Sequence, residues 1–336
     1  MMENKRYRRT ASLFLIMFLV CLVAGCGNLK QGRIERKEDT IRKQKVTLIA
    51  KSTESAFWKS VFAGAGAAST EYNMELSCQG PDNEEDYVMQ NRMIEEAVES
   101  GTDAIIFSAI DYEENAAAID RAAEEGVKIV VIDSDVKSEE VGCRIGTDNY
   151  EAGCLAGEAA LETGEKEINI GIVNFDATTE NGQSREKGFR DTVSRDSRTV
   201  IVDTVNANST IDSAKQEAKK LLTEYPQINV IATFNEWTSL GVGYAVKEAG
   251  VADSVRVVAF DSNVVSVDML ETGEVDALIV QNPYAMGYLG VENAYRLLAG
   301  QKVEENEVNT STHLVTKENM YSEESQRMLF SFDEIR

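Results

Sequence analysis

The sequence predicts an α/β protein of two lobes, each a parallel sheet flanked by helices, joined by a hinge of three crossings. Three observations carry this. Short β-branched runs alternate with stretches whose apolar residues recur at helical spacing, the pattern of βαβ units. The alternation runs once to Gly146 and then restarts as a second set of units without close sequence identity to the first. No Pro/Gly-rich linker separates the sets, and Pro occurs only three times in 336 residues, so extended crossings of the chain must join the lobes.

The first set opens with a strand at Lys45–Ala50 and a helix at Phe57–Tyr72, where Phe57, Val61, Ala65 and Ala68 share a face. Gly64-Ala65-Gly66 lies inside that helix, not at a strand–helix junction. The G-x-G-x-x-G fingerprint is therefore not met, no nucleotide cofactor is expected, and the small residues are read as close helix–sheet packing. A strand at Met74–Cys78, a helix at Asn83–Ser100, a strand at Ala104–Ser108 and a helix at Glu113–Glu125 follow. A strand at Lys128–Ile132 then ends in Asp133-Ser134-Asp135, before a short strand at Cys143–Gly146 and a helix at Tyr150–Glu162. The second set has strands at Ile168–Phe175, Thr199–Val205, Asn229–Phe234 and Val255–Phe260, interleaved with helices at Gln183–Ser194, Asp212–Glu224 and Thr238–Ala249. Ala277–Val280 is a further strand, Asn282–Leu298 a helix, and Val308–Val315 a last strand. The crossings are placed near 147–149, 281–283 and 308–312. This gives a first lobe of 45–147 plus 282–308, a second of 148–281 plus 309–318, and a polar peripheral tail over 319–336.

Composition excludes several functions. The formal net charge is −23, so the surface repels phosphate backbones and nucleic acid is not an expected partner. The one histidine, His313, excludes a multi-His metal site and reads as structural. Cys78, Cys143 and Cys154 lack C-x-x-C spacing, so zinc and iron–sulfur readings fail; buried free thiols are expected, with a 143–154 disulfide left open. No D-x-[DN]-x-[DN]-G run with a distal Glu occurs, and no metal is expected.

The N-terminus reads as a targeting segment over 1–25. Lys5, Arg6, Arg8 and Arg9 form a basic region, and Ala11–Gly25 an apolar stretch shorter than the roughly 17–25 residues that span a bilayer. Leu22-Val23-Ala24-Gly25-Cys26 resembles a bacterial lipobox. That resemblance implies cleavage before Cys26 and a diacylglyceryl thioether on it, two acyl chains being enough for stable anchoring to a lipid membrane. The polar, charge-mixed stretch over 26–44 is then a tether.

In an open α/β sheet, ligands sit outside the carboxyl ends of the strands. Val255–Phe260 stops at Asp261 and Ala277–Val280 at Gln281, so both should reach one cleft as a clamp on a small polar molecule. Phe57 and Trp58 stand at a strand-to-helix junction, where an aromatic face fits the C–H face of a sugar ring.

Several segments together resemble the type I periplasmic binding proteins, specifically the ribose/galactose-type substrate-binding lipoproteins of ABC transporters. They are Ala56-Phe57-Trp58, the helix around Gly64 and Ala67, Val131-Ile132-Asp133, Thr147-Asp148-Asn149-Tyr150-Glu151-Ala152-Gly153 and Arg185-Glu186-Lys187-Gly188-Phe189, then Thr233-Phe234-Asn235-Glu236, Val258-Ala259-Phe260-Asp261 and Val280-Gln281-Asn282-Pro283. The resemblance spans roughly 45–317 and implies two Rossmann-like lobes closing about three crossings, with Asp148, Asn149, Asn282 and Pro283 at the hinge. It implies a sugar stacked on Phe57 and Trp58, with its hydroxyls held at Asp133, Arg185, Asn235, Asp261 and Gln281. Ser55 and Ser108 stand where ribose binders tend to carry Asn, and Ser134 where they carry Arg; these three also belong to the expected site. Ser209 stands near a usual aromatic position, with Trp237 as a substitute. The candidate cleft sets Glu54, Asp133, Asp135, Asp176, Glu236 and Asp261 against Arg185 alone. A cationic ligand is thereby left open, beside the plainer reading that several of these acids face solvent.

The implied function is a membrane-anchored solute receptor that delivers a sugar to an ABC permease. The alternative is a sensor presenting the same ligand to a membrane histidine kinase or chemoreceptor. Related transcription repressors need an N-terminal helix-turn-helix where this chain has its leader. Asp133 and Asp261 could imitate a glycosidase carboxylate pair, but clamping explains them without a reaction, so no catalytic residue and no enzyme activity are expected.

Overall fold

The structure is a computed structural model describing residues 42–175, 177–303 and 305–330. In chain order the elements are β1 (Lys45–Ile49), α1 (Ala56–Glu71), β2 (Glu75–Gln79), α2 (Tyr87–Glu99), β3 (Ala104–Phe107), α3 (Ala116–Glu124), β4 (Lys128–Ile132) and β5 (Val141–Gly146). Then come α4 (Asn149–Leu161), β6 (Ile168–Phe175), α5 (Glu180–Val193), β7 (Thr199–Ala207), α6 (Ile211–Glu224), β8 (Val230–Thr233), α7 (Glu236–Ala249) and β9 (Arg256–Phe260). The chain continues through α8 (Val264–Thr272), β10 (Ala277–Val280), α9 (Pro283–Leu298), β11 (Glu307–Asn309), β12 (His313–Thr316) and α10 (Glu323–Leu329). All lie in one compact unit beginning at Lys43.

The strands form two sheets of the same topology, β11-β5-β4-β3-β1-β2 and β12-β10-β9-β8-β6-β7. Covered by helices on both faces, a parallel sheet needs continuously apolar strands, and β3, β8 and β10 are buried along their whole length. Each sheet accordingly has two hydrophobic clusters, one per face. The chain passes between the sheets after β5, after β10 and after β11. The expected last strand over 308–315 is in fact two, β11 in the first sheet and β12 in the second. β11 is parallel to β5, whereas β12 is antiparallel to β10. A chain running straight through a gap that both sheets face must run with one sheet and against the other.

The helices that follow the first two crossings pack against the sheet just left or entered so as to tie each lobe together. α9 packs on α1 and β4, and α4 on α5 and β9. Both helix pairs approach through glycine. A Cβ on Gly287 would lie 1.9 Å from the Val61 carbonyl oxygen, and one on Gly153 2.0 Å from that of Arg185. Gly64 serves the same contact, 2.0 Å from the Tyr284 oxygen on the same construction, so its small size permits helix–helix rather than the expected helix–sheet packing.

Two further differences from expectation have local causes. Helix α8 has no counterpart in the expected elements; its first turn is β-branched, but an Asn263 capping box starts it and Gly273, at φ 94°, stops it. The segment expected as a polar tail contains α10, and Met320 and Leu329 are buried in the second lobe's core. Cys78, Cys143 and Cys154 are free; Cys143 is buried, but Cys78 is exposed on edge strand β2. His313 begins β12 opposite Val280, the last residue of β10, and stands beside Ser325 and Glu324; it is not part of the cleft lining.

Candidate ligand-binding cleft

Strands β4 and β9 occupy equivalent places in their sheets, and each ends in an aspartate with a left-handed backbone, Asp133 at φ 58° and Asp261 at φ 66°. This conformation is uncommon for a residue with a side chain and costs of order 1 kcal/mol or more. It is held because each backbone N–H still extends the strand ladder: Asp133 donates to the Ile145 oxygen at 3.0 Å and Asp261 to the Ile279 oxygen at 2.9 Å. Both carboxylates line the same cleft between the sheets.

Arg185, on α5, is buried at the centre. Its Nε donates to Asn149 Oδ1 at 2.9 Å, Nη1 to the Phe234 oxygen at 2.8 Å and Nη2 to Gln281 Oε1 at 2.8 Å. The guanidinium lies over the Phe260 ring, 4.9 Å from its centroid. Gln281 also accepts from Thr147 Oγ1 at 2.7 Å and donates to Asp261 Oδ1 at 2.6 Å. A crossing residue, the arginine and the carboxylate thus meet on one side chain. Asp133 accepts from Ser108 Oγ at 2.9 Å and, from the other lobe, from Asn181 Nδ2 at 3.1 Å. Lys51 Nζ and Arg185 Nη2 lie 3.8 and 4.0 Å from its oxygens.

The aromatic wall comes from Phe57, Trp58, Phe175 and Trp237. Phe57 and Trp58 meet edge to face at 5.0 Å, and Lys51 Nζ stands 5.4 Å from the centroid of the Phe175 ring. Burial pushes the Asp261 carboxyl up to about 7, against the opposing pull of Arg185 and Gln281, with Glu236 and Asp133 raising it further. Burial likewise raises Glu236, opposed by the Phe57 and Ala56 N–H groups it accepts. The cleft therefore offers aromatic faces, a rigid fork of donors and several carboxyl groups, the inventory for pairing vicinal hydroxyls.

The structure brings Phe57, Trp58, Ser55, Asp133, Arg185, Asn235, Asp261 and Gln281 together as cleft lining. Ser55 also caps α1, accepting from Trp58 N at 3.2 Å. Ser108 reaches the cleft only through its bond to Asp133. Ser134 is a correction: its Oγ is buried without a partner and does not line the cleft. Asn235 caps α7 and donates to Ser209 Oγ at 2.7 Å. Of the expected acids, Glu54 is exposed and Asp135 pairs with Arg144 at 2.8 Å, so the surplus of negative charge in the cleft is smaller than the sequence count. Asp176 and Cys26 lie outside the described residues. Asp148 and Asn282 cap α4 and α9, with Pro283 in the first turn of α9. The crossings are bonded side by side through Thr147–Gln281, Thr310 N to the Gly146 oxygen at 2.7 Å, and Asn282 Nδ2 to Ser311 Oγ at 3.3 Å.

Sequence reasoning missed Lys51, Glu84, Phe175 and Asn181, all in the lining. Lys51 and Phe175 stand at or just past strand carboxyl ends, the rule that found Asp261, and were findable; Glu84 has no local signal. Among the described residues no cluster of three or more His, Cys, Asp or Glu could hold a metal ion, and no helix is long and apolar enough to cross a membrane.

Residues 46–302 match the profile of the periplasmic binding protein domain family. The chain is 29% identical over 289 residues to the D-ribose/D-allose-binding protein of Pseudomonas aeruginosa, covering 83% of this chain and 90% of that one. It superposes with a TM-score of 0.83 and 29% identity on a carbohydrate transporter solute binding protein from Agrobacterium radiobacter in complex with D-arabinose, covering 86% and 99% of the two chains. An ABC transporter solute binding protein from Agrobacterium vitis with bound D-fucose gives a TM-score of 0.82 and 30% identity, covering 85% and 99%.

Proposed function

The chain belongs to the periplasmic binding protein family, and from that premise we propose that it captures a sugar in the cleft between its lobes and hands it to an ABC permease. It is a binding protein of a transport system, not an enzyme, as the family and its relatives are. One observation carries the sugar reading: Asp133 and Asp261, at equivalent strand ends of the two sheets, line one cleft together with Arg185 and the Phe57–Trp58 pair. A ring stacks by its C–H face on the aromatics while its hydroxyls pair with the carboxylates and the guanidinium. Each buried hydroxyl left unpaired costs about 1–3 kcal/mol, so such a site selects by the arrangement of hydroxyls. Ligand that touches both lobes favours the closed form by its differential affinity for it. The lobes move about the three crossings, with Asp148, Asn149, Asn282 and Pro283 at the joints.

In the same reading the protein works outside the cytoplasm, tethered to the membrane by acylated Cys26. Cys26→Ser should release it from the membrane fraction and abolish labelling by a fatty-acid probe; a variant that stays anchored and labelled removes the lipid reading. Isothermal titration against D-ribose, D-allose, D-arabinose, D-fucose, hexoses, polyols and amino sugars tests the ligand. Heat with at least one sugar is expected, and none across the panel would sink the sugar reading.

A further inference from the structure

Two carboxylates beyond Asp133 and Asp261 tie the aromatic wall of the first lobe to the second lobe. Glu236 begins α7 in the second lobe. Its Oε2 accepts the backbone N–H of Phe57 at 3.0 Å, and its Oε1 accepts that of Ala56 at 3.2 Å. These N–H groups belong to the first turn of α1, where donors lack partners within the helix and where α1 has no acid of its own. Asn263 Nδ2 donates to the same Oε1 at 3.0 Å and holds the carboxylate in place. Glu84 comes from the first lobe. Its Oε1 accepts from Trp58 Nε1 at 2.8 Å and its Oε2 from Ser209 Oγ of the second lobe at 2.8 Å. Both glutamates are buried. The adjacent rings are thus each attached to the opposite lobe through a glutamate, Phe57 by its main chain and Trp58 by its indole.

The geometry points to Glu84 and Glu236 as positioning residues that couple closure of the lobes to the setting of Phe57 and Trp58, a role that rests on the reading of the cleft as a closing sugar site. When the lobes separate, the α1 N–H groups lose Glu236, and Glu84 loses Ser209. The aromatic wall is then complete only in the closed form, so stacking is gained at closure rather than at first encounter. The bonds are between protein groups and are charge-assisted in a dry setting, where such bonds are strongest. Their contribution to closure therefore does not depend on which sugar enters.

Glu84→Gln and Glu236→Gln keep shape and remove charge. Each should weaken sugar binding by about 10- to 100-fold, the effect of one hydrogen bond to a charged group. Each should also raise the radius of gyration of the sugar-free protein in small-angle scattering and the acrylamide quenching of its emission. Trp58 and Trp237 are the chain's two tryptophans and both line the cleft, so emission reports on closure. Ser209→Ala removes the same bridge and should match Glu84→Gln; a role of Glu84 confined to seating Trp58 would leave Ser209→Ala like wild type. Scattering and quenching unchanged in all variants, with unchanged affinity wherever a sugar binds, would overturn the proposal. If no sugar binds the wild-type protein, the sugar reading fails separately, and the coupling is decided by scattering and quenching alone.

Discussion

Truncating Gln281 to alanine removes the side chain on which the cleft network converges. Gln281 is buried and makes three hydrogen bonds, with Thr147 at 2.7 Å, Arg185 at 2.8 Å and Asp261 at 2.6 Å. The bond to the Arg185 guanidinium is worth about 1.5–3 kcal/mol and that to the Asp261 carboxyl, raised to about 7, about 0.5–3 kcal/mol, and alanine leaves both groups in a desolvated site. The Thr147 bond adds about 0.5–1.5 kcal/mol, while any water that enters the space returns part of the loss. The expected destabilisation is therefore about 3–5 kcal/mol. Because Thr147 lies on the first crossing and Gln281 on the second, the loss should fall on the hinge as well as on the ligand. Urea unfolding followed by far-UV circular dichroism and by tryptophan emission measures it, and coincidence of the two probes tests whether the lobes still unfold together. Titration with whichever sugar binds wild type should show weaker affinity. A destabilisation below about 1 kcal/mol, with wild-type affinity, would show that the network closes without Gln281 and would refute the reasoning.

Three further outcomes follow from the same structure. Asp261, raised to about 7 when folded, has an unfolded value near 3.9, so between those values the folded protein holds a proton that the unfolded chain has released. Stability from this group is then present at low pH and falls as pH rises through that window, by up to about 1.4 kcal/mol per pH unit; urea midpoints should show Asp261→Asn relatively more stable at pH 8 than at pH 5, and parallel profiles for variant and wild type would count against it. Gly287→Ala places a Cβ 1.9 Å from the Val61 oxygen and should cost about 1–3 kcal/mol, whereas Gly66→Ala, with nothing within 4 Å, should stabilise helix α1 by about 0.5–1 kcal/mol; equal thermal shifts for the two would contradict the packing account. Pro283→Gly frees the start of α9 and should move the open–closed balance in scattering more than it changes binding enthalpy, with an effect of about 0.4–1 kcal/mol; the opposite ranking would make Pro283 a contact rather than a joint.

Much of the fold was legible because strand and helix periods are local. Asp133, Asp261 and Gln281 were legible for the same reason, since each directly follows an apolar run that ends at the cleft. Lys51 obeys that rule too, but a lysine reads as solvated surface until Phe175 and Asp133 are seen beside it. Ser134 was misplaced because the left-handed turn at Asp133 redirects the chain, a feature that neighbouring residue types do not reveal. The passage of the chain between lobes near 308–312 was legible, but residues 308–315 look uniformly strand-like, so that they form two strands, one with its sheet and one against it, was not.

By itself the sequence determined the βα alternation, its restart, and the polar side chains that close strands β4, β9 and β10, because backbone preference and burial period act over a few residues. Only the tertiary structure decided which of those groups meet. The bond of Glu236 to Ala56 spans 180 positions and joins the two lobes, that of Arg185 to Gln281 spans 96 within the second, and such pairings arise only from tertiary packing. The same packing withdraws Asp261 from water, so its basicity is a property of the folded cleft and not of the residue.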